Sequence, residues 1–361
     1  MKQTIVLVQS GLGAGGAEKI VNLVAKHRIE KGDDVHVLAI YGKPEDSYFE
    51  YPPQVQIHTL YSDDSESKSR IKATFLKIKW LRSTFRKIQP DLILSFLTKI
   101  NFICACALLH SKTPFLVSER NNPIQQRPGR IWKTLLKLTF RKADRIIMQT
   151  QGAMSILSAN AQKKAIIIPN PCHTINQAVT PKNTPTDIVA VGRLTQQKGF
   201  DVLIAAIDIV SKKFPTTHLT IWGEGEERAS LENLVSSKNL DKNISLPGNT
   251  KTPMEWINTA KIFILPSWYE GFPNVLVEAM SAGMAVIATD CPWGPADMIT
   301  NGKNGILVPV GNPKALSQAI ATLLNSPKQQ KLLGKAATVK LDTFSENKVL
   351  DLWDSVLDAY Q

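Results

Sequence analysis

Residues 4–18 read Thr4-Ile5-Val6-Leu7-Val8-Gln9-Ser10-Gly11-Leu12-Gly13-Ala14-Gly15-Gly16-Ala17-Glu18. The first five form an apolar, β-branched run of strand length. The glycines that follow make a turn, and the turn opens a helix. Strand, glycine-rich turn and helix is how a doubly wound α/β domain begins. Working outward, strand-length apolar runs recur at 35–40, 56–60, 92–96, 114–117, 145–148 and 165–168. Helical patterns lie between most of them, which implies parallel strands joined by right-handed βαβ crossovers. Residues 174–187 interrupt the alternation with Pro181, Pro185, four Thr and two Asn, the chemistry of a linker. Strand patterns then restart at 187–191, 218–221, 243–246, 262–265, 285–288 and 306–308, and the sequence closes on helical patterns at 314–324, 329–337 and 346–360. The expected fold class is α/β, with two doubly wound Rossmann-like domains facing across a cleft. The expected divisions are a first domain over 1–172, a linker over 173–187, a second domain over 188–343 and a C-terminal helix over 344–361 that packs back on the first domain. A length of 361 residues suits two domains.

With 43% hydrophobic and 20% charged residues, the composition is that of a globular protein able to bury large cores. The longest wholly apolar run, 102–109, has eight residues, against the roughly 20 needed to cross a bilayer. The start of the chain reads as a strand rather than a signal peptide. Cys104, Cys106, Cys172 and Cys291 form no CxxC pair and have no matching His spacing, so neither a disulfide framework nor a metal site is expected and a reducing cytoplasm is. The net charge of +12 is unevenly placed: residues 1–165 hold 26 Lys and Arg against 13 Asp and Glu, and residues 166–361 hold 17 against 18. The excess in the first half points to an anionic partner there: nucleic acid, a membrane surface or a phosphorylated substrate.

Gly11 to Gly16 satisfies the GxGxxG dinucleotide fingerprint in the right context. Its companion, an acid closing the second strand, is missing: that strand runs out in Tyr41-Gly42-Lys43, and Asp33 and Asp34 precede it. A nicotinamide oxidoreductase is therefore not expected. What remains is a turn at a helix N-terminus, suited to a phosphate or diphosphate or simply a tight connection, with Glu18 complementing the helix dipole.

Four segments end strands in the second half: Gly192-Arg193-Leu194 with Gln197-Lys198-Gly199, Gly223-Glu224-Gly225, Gly248-Asn249, and Ser267-Trp268-Tyr269-Glu270-Gly271-Phe272-Pro273-Asn274 leading into a helix that carries Glu278. A cation pair on a strand-to-helix loop neutralises a diphosphate. In order and placement these segments resemble the family-4 retaining glycosyltransferases of the GT-B fold. The resemblance covers nearly the whole chain and is strongest over 190–310; in the first half Gly15-Gly16-Ala17-Glu18 is the matching piece. Glu270 and Glu278, with seven residues between them, match the family's Glu-x7-Glu motif. The resemblance implies Arg193, Lys198 and Glu270 as catalytic residues. It implies donor binding by Gly15, Gly16, Gly192, Gly225, Asn249, Gly271, Phe272, Pro273, Asn274 and Glu278. Glu270 then takes the donor sugar and Glu278 the ribose hydroxyls, and Glu18, Glu119 and Arg120 lie on the acceptor side.

The chemistry is consistent with those roles. Breaking the anomeric C–O bond of a nucleotide sugar puts negative charge on the departing diphosphate, and Arg193 and Lys198 suit its stabilisation. Backbone N–H groups over 272–275 would add to this at a helix start, with none from Pro273. The sequence has no DxD motif, so no metal and no cofactor beyond the donor, expected to be a UDP-sugar, is called for. The resemblance implies a front-face displacement with retention. One departure concerns the acceptor side. Many relatives carry a His after the fifth strand, where this chain has Val117-Ser118-Glu119-Arg120-Asn121-Asn122-Pro123. An always-charged Arg cannot serve as a base near neutral pH. Arg120 reads as an anion-binding group, and Glu119 as an acceptor-side group or as Arg120's partner.

Residues 68–87 contain eight cations and no acid, with Ile71, Phe75, Ile78 and Phe85 near helical spacing. Arg127, Arg130, Lys133, Lys137, Arg141, Lys142 and Arg145 form a second basic run. The first segment reads as a basic amphipathic helix: either core-packed with a solvated face, or bound to anionic lipid or a lipid diphosphate through Lys72, Lys77, Lys79 and Arg82. No nucleic-acid motif accompanies it. It also resembles the matching helix of bacterial GalNAc transferases that extend lipid-linked oligosaccharides. The expected protein is a cytoplasmic enzyme, peripheral on the inner face of the membrane. It moves a hexose or N-acetylhexosamine from a nucleotide sugar to a lipid-linked saccharide. A soluble transferase acting on a free sugar or sugar phosphate, and a non-catalytic nucleotide-sugar-binding protein, share most of these features; retention of Arg193, Lys198, Glu270 and Glu278 argues against the second.

Overall fold

The computed structural model describes residues 2–61, 70–120, 130–172, 187–250, 252, 254–339 and 341–360. Residues 173–186 of the expected linker, residues 121–129, and Lys68 and Arg127 of the basic runs lie outside the described residues. The chain forms two compact units, one of Met1–Asn170 with Val349–Gln361, the other of Pro171–Lys348.

The first unit is a parallel sheet of β1 (Thr4–Gln9), β2 (Asp34–Tyr41), β3 (Gln56–Tyr61), β4 (Leu92–Phe96), β5 (Phe115–Ser118), β6 (Arg145–Met148) and β7 (Ala165–Ile167), in the order β3-β2-β1-β4-β5-β6-β7. Helices α1 (Gly16–Glu30), α2 (Arg70–Ile88), α3 (Thr98–Ala107) and α4 (Arg130–Lys142) connect strands. Ile5, Val6, Leu7 and Val8 of the central strand are all fully buried, as expected where helices cover both faces of a parallel sheet.

The second unit repeats the plan with β8 (Ile188–Val191), β9 (Leu219–Trp222), β10 (Ile244–Gly248), β11 (Ile262–Leu265), β12 (Ala285–Thr289) and β13 (Ile306–Val308), in the order β10-β9-β8-β11-β12-β13. Its helices include α5 (Phe200–Ser211), α6 (Arg228–Ser237), α7 (Asn274–Ser281), α8 (Pro313–Asn325) and α9 (Pro327–Val339). Both sheets start at the centre, run to one edge and return. Each has a switch point, β1/β4 in the first and β8/β11 in the second, where ligands of such sheets bind at the carboxyl ends of the strands. The α/β class is as the sequence implies, and all thirteen strands fall within about two residues of the expected runs.

The closing helix α10 (Glu346–Leu357) buries Val349, Trp353, Val356 and Leu357 in one cluster with Leu7, Val24, Val37 and Phe96 of the first unit. Arg28 of α1, 1% exposed, reinforces that seam by donating to Asp33 at 2.6 Å and to Asp354 at 2.9 Å. No described helix is long and apolar enough to cross a membrane.

Candidate active site

The second unit's switch point assembles most of the candidate residues. β8 and β11 are neighbours, so the loops that leave their ends run side by side. Gly199 has φ +63°, and a Cβ there would stand 2.3 Å from the Pro266 carbonyl oxygen, so only glycine lets these loops touch. The Trp268 N–H donates to the Gln197 carbonyl at 2.8 Å, and the Gln197 amide donates to the Tyr269 carbonyl at 2.9 Å. Gly223, at φ +141°, brings the β9 loop against the Gly192 carbonyl, 1.9 Å from where its Cβ would sit. Arg228 ties β9 to β10: it pairs with Glu224 and Glu232 at 2.7 Å each and donates to the Gly223 and Leu246 carbonyls at 3.1 and 3.2 Å.

Within that frame Lys198 and Glu270 meet. The Lys198 side chain passes Gly192, where a Cβ would stand 3.3 Å from its Cδ and Cε, and its Nζ lies 2.7 Å from Glu270 Oε1. The Ser267 hydroxyl donates to the same oxygen at 2.6 Å, and Thr289 holds the Ser267 carbonyl at 2.6 Å. Glu270 is buried, yet among the described residues no hydrogen bond is made to its Oε2. That oxygen is left to accept from a ligand hydroxyl. Cys291 is nearby; burial, helped by Glu270, pushes its thiol up to about 12, so it is no nucleophile at neutral pH. Arg193, on the same loop as Lys198, is exposed. Glu278 is half-buried on α7, and Asn249 is exposed one residue past β10.

One expectation for the Gly-Phe-Pro-Asn segment is corrected. The Phe272 ring is a core group, buried against Leu276 and Val277 and edge-on to Phe344 at 5.7 Å, so it offers no side-chain contact to the donor. The Asn274 N–H is not open at the helix start, since it donates to the Phe272 carbonyl at 3.0 Å. Gly271 and Pro273 are buried beside Glu270, and Asn274 is exposed.

In the glycine-rich turn of the first unit the Glu18 carboxylate sits close to Gly15. Gly15 and Gly16 are exposed at the start of α1, but Glu18 Oε2 comes within 2.0 Å of where a Cβ on Gly15 would be. Burial raises the pKa of that carboxyl.

Glu119 and Arg120 follow β5 and are not partners. Glu119, 2% exposed, accepts from Thr98 Oγ1 at 2.7 Å and from Asn101 Nδ2 at 2.8 Å, both on α3. Arg120 donates to Asn170 Oδ1 at 2.9 Å and lies 5.7 and 5.2 Å from the ring centroids of Phe96 and Trp353. Among the described residues its Nε and Nη2 are buried without hydrogen-bond partners. Burial pushes the Glu119 carboxyl up to about 7, and pushes Arg120 down to about 9, which leaves it protonated at neutral pH.

The four expected lipid-facing cations divide. Lys72 and Lys79 are exposed. Lys77 is 2% exposed, bonds to Tyr41 Oη and lies 4.8 Å from that ring's centroid, so it cannot face a membrane. Arg82, half-buried, donates to the Cys106 and Ala107 carbonyls at 3.0 and 3.2 Å and caps α3.

Sequence reading missed Ser267, Gln197, Arg228, Thr98, Asn101 and Asn170. The spacing of Glu224, Arg228 and Glu232 signals an i,i+4 ion-pair ladder. Ser267 bonds Glu270 three residues on, and the rest are bonds across the fold, which no local pattern carries.

Profiles of two families match the chain: Glycosyltransferase Family 4 over residues 14–174 and Glycosyl transferases group 1 over residues 173–340. The chain belongs to the family-4 glycosyltransferases, and its fold is of the GT-B class. An N-acetylgalactosamine-N,N'-diacetylbacillosaminyl-diphospho-undecaprenol 4-alpha-N-acetylgalactosaminyltransferase of Campylobacter jejuni is 27% identical over 94% of either chain. An uncharacterized glycosyltransferase of Haemophilus influenzae is 26% identical over 99% of this chain and 100% of its own. Among solved structures, a sucrose-phosphate synthase from Thermosynechococcus elongatus superposes with a TM-score of 0.81 at 20% identity, covering 99% of this chain and all of its own. Anabaena HepE, in complex with UDP-glucose, gives 0.79 at 17% identity over 99% of this chain and all of its own. At these identities the two structures speak to the fold alone.

Proposed function

We propose that this glycosyltransferase moves an N-acetylhexosamine or hexose from a UDP-sugar to a saccharide carried on a lipid diphosphate, with retention at the anomeric carbon. The observation that carries the reading is the Lys198–Glu270 pair, with Ser267, at the β8/β11 switch point. Lys198 holds Glu270 in place and shares its loop with exposed Arg193, so two cations are available for charge growing on the departing diphosphate. The unbonded Oε2 of Glu270 receives a hydroxyl of the donor sugar, and Glu278 takes the ribose hydroxyls, in keeping with the family motif. No metal is needed in this scheme, because side-chain cations neutralise the diphosphate. Glu119 and Arg120 face the acceptor, Arg120 offering charge to an anionic group.

The lipid-diphosphate acceptor is supported by the Campylobacter relative, whose own acceptor is a diphospho-undecaprenol. The UDP donor follows the family motif; HepE, which shares the fold, is itself found with UDP-glucose. Both fit a site at the inner face of the cytoplasmic membrane, where the basic first half meets anionic lipid. The test is a panel of UDP-, GDP- and ADP-sugars, scored by hydrolysis and by transfer to membrane extracts. Hydrolysis of a UDP-sugar, with label passing into the lipid fraction, is the expected outcome. Transfer only to free sugars or sugar phosphates would overturn the acceptor. Within the site, Glu270→Gln should lower kcat and Glu278→Gln should mainly raise the donor KM; equal effects on KM alone would contradict the division of roles.

A further inference from the structure

The second unit has a further cavity, at the end of its sheet away from Glu270. Helix α9 meets the turn between α7 and β12 backbone to backbone: a Cβ on Gly334 would stand 2.0 Å from the Gly283 carbonyl oxygen. Gly283 itself has φ +71°, so the contact uses glycine on both sides. Towards the first turn of α9 the space between this helix and the strand ends is left unfilled. A cavity of about 360 Å³ opens there, within the range of small-molecule sites. Its inner wall is apolar and deeply buried: Ile257 is 2% exposed, Met284 4% and Ala285 1%.

The rim carries charge of one sign. Lys261, just before β11, and Lys331, on α9, both line the cavity and are both exposed. None of the lining residues is an acid. Two ammonium groups over an apolar hollow complement a ligand with a compact apolar body and an anionic end: the wall takes the body out of water, and the lysines meet the charge. We infer that this cavity is a second small-molecule site, for a compact aryl or branched-alkyl phosphate or carboxylate, separate from the donor site. The two strands that border it also carry the donor array. β11 starts beside Lys261 and leads to Ser267 and Glu270; β12 starts at Ala285 and ends at Thr289, which donates to the Ser267 carbonyl. At about 3.3 Å per residue, a ligand in the cavity lies roughly 15 Å from the Lys198–Glu270 pair and touches neither. The assignment does not depend on which sugar is transferred or to what acceptor.

The probe is phenyl phosphate, with benzyl alcohol and benzylamine as its neutral and cationic counterparts and inorganic phosphate as the anion without the ring. Binding is followed on the full-length protein with isotope-labelled methionine methyls, through the Met284 resonance, assigned by its loss in Met284→Leu. Phenyl phosphate should shift that resonance saturably and bind about fivefold or more tighter than either benzyl alcohol or inorganic phosphate, with benzylamine weakest. Excess UDP should not reverse the shift, which separates this cavity from the donor site. The double variant Lys261→Gln, Lys331→Gln should weaken phenyl phosphate by about fivefold or more and leave benzyl alcohol binding and the melting temperature unchanged, because both lysines are exposed. No shift at Met284, reversal by UDP, or undiminished phenyl phosphate binding in the double variant would overturn the inference. Benzyl alcohol binding as tightly as phenyl phosphate would remove the anionic half of the assignment, and inorganic phosphate doing so would remove the apolar half.

Discussion

Lys198 and Arg193 share a loop and a charge, but only Lys198 is tied to another buried group. Arg193 is exposed, so Arg193→Ala should leave the melting temperature unchanged while costing about 2–4 kcal/mol of transition-state stabilisation. Lys198→Ala should lose comparable activity and also destabilise the fold by about 1–3 kcal/mol, because it leaves the Glu270 carboxylate buried without its cation. Melting curves beside turnover separate the two; matched melting temperatures for both variants would refute the structural half. Glu119 gives a second prediction, on pH. Its carboxyl is pushed up to about 7 from an ordinary 4.5, so between those values the folded state holds a proton that the unfolded state has lost. The associated stability is present below pH 4.5 and is lost as pH rises through 7, about 3 kcal/mol in all. Glu119→Gln keeps a group that accepts from Asn101 and bonds Thr98 but cannot ionise. Its stability relative to the wild-type protein should therefore grow between pH 5 and 8, as read by denaturant midpoints. A constant difference would show that Glu119 does not titrate there.

At the scale of elements, α2 shows where sequence reading succeeds and where it stops. Its existence follows from composition and spacing, and so do the strands: a parallel strand buried on both faces is a continuous apolar run, visible without a partner. Which stripe of a helix faces the sheet depends on what the neighbours offer. Here Tyr41 accepts a bond from Lys77, and the long stem of that lysine fills the interface while the apolar stripe faces out. The packing of Phe272 was hidden for a related reason, since its neighbours in the motif are polar or turn-forming but its ring meets Phe344, far along the chain. Glu119 and Arg120 are consecutive at a strand end, where side chains alternate sides, so adjacency in sequence separates them. The candidate site was legible where its parts are local, as in the Lys198 loop and the Glu270 segment, and not where Asn170 supplies the bond to Arg120 from far along the chain. The measurable consequence lies in α2. Lys77→Gln should lower stability without a specific effect on liposome binding. Lys79→Gln should leave the melting temperature unchanged and weaken binding to anionic vesicles by up to about 1 kcal/mol, less at high salt. Equal stability losses would mean that both lysines sit at the same interface.

Across the whole molecule, the two sheets share one plan but differ in charge. The first 165 residues carry 26 cations against 13 acids, and the remaining 196 are near balance at 17 against 18. An enzyme that stabilises a diphosphate through side chains needs only a few cations at the donor, and the second unit supplies Lys198 and Arg193 there. The surplus belongs to the other unit, where an anionic lipid or a phosphate-headed acceptor would use it. Diphosphate chemistry assisted by a metal follows a different design, in which acidic residues gather to hold the ion. The sequence has no DxD motif, and two acids on loops of the second unit each already pair with a cation, Glu270 with Lys198 and Glu224 with Arg228. Turnover should therefore persist in excess EDTA, and added Mg²⁺ or Mn²⁺ should change it less than twofold, since in the proposed scheme the cationic side chains take the metal's electrostatic role. The assay must use protein dialysed against chelator, with UDP release and sugar transfer both followed. Loss of both in EDTA, recovered with Mn²⁺, would mean that an ion carries the leaving-group charge, and that Arg193→Ala should then have little effect on turnover. Activity in EDTA together with a severe Arg193→Ala defect would place that charge on the protein's own side chains.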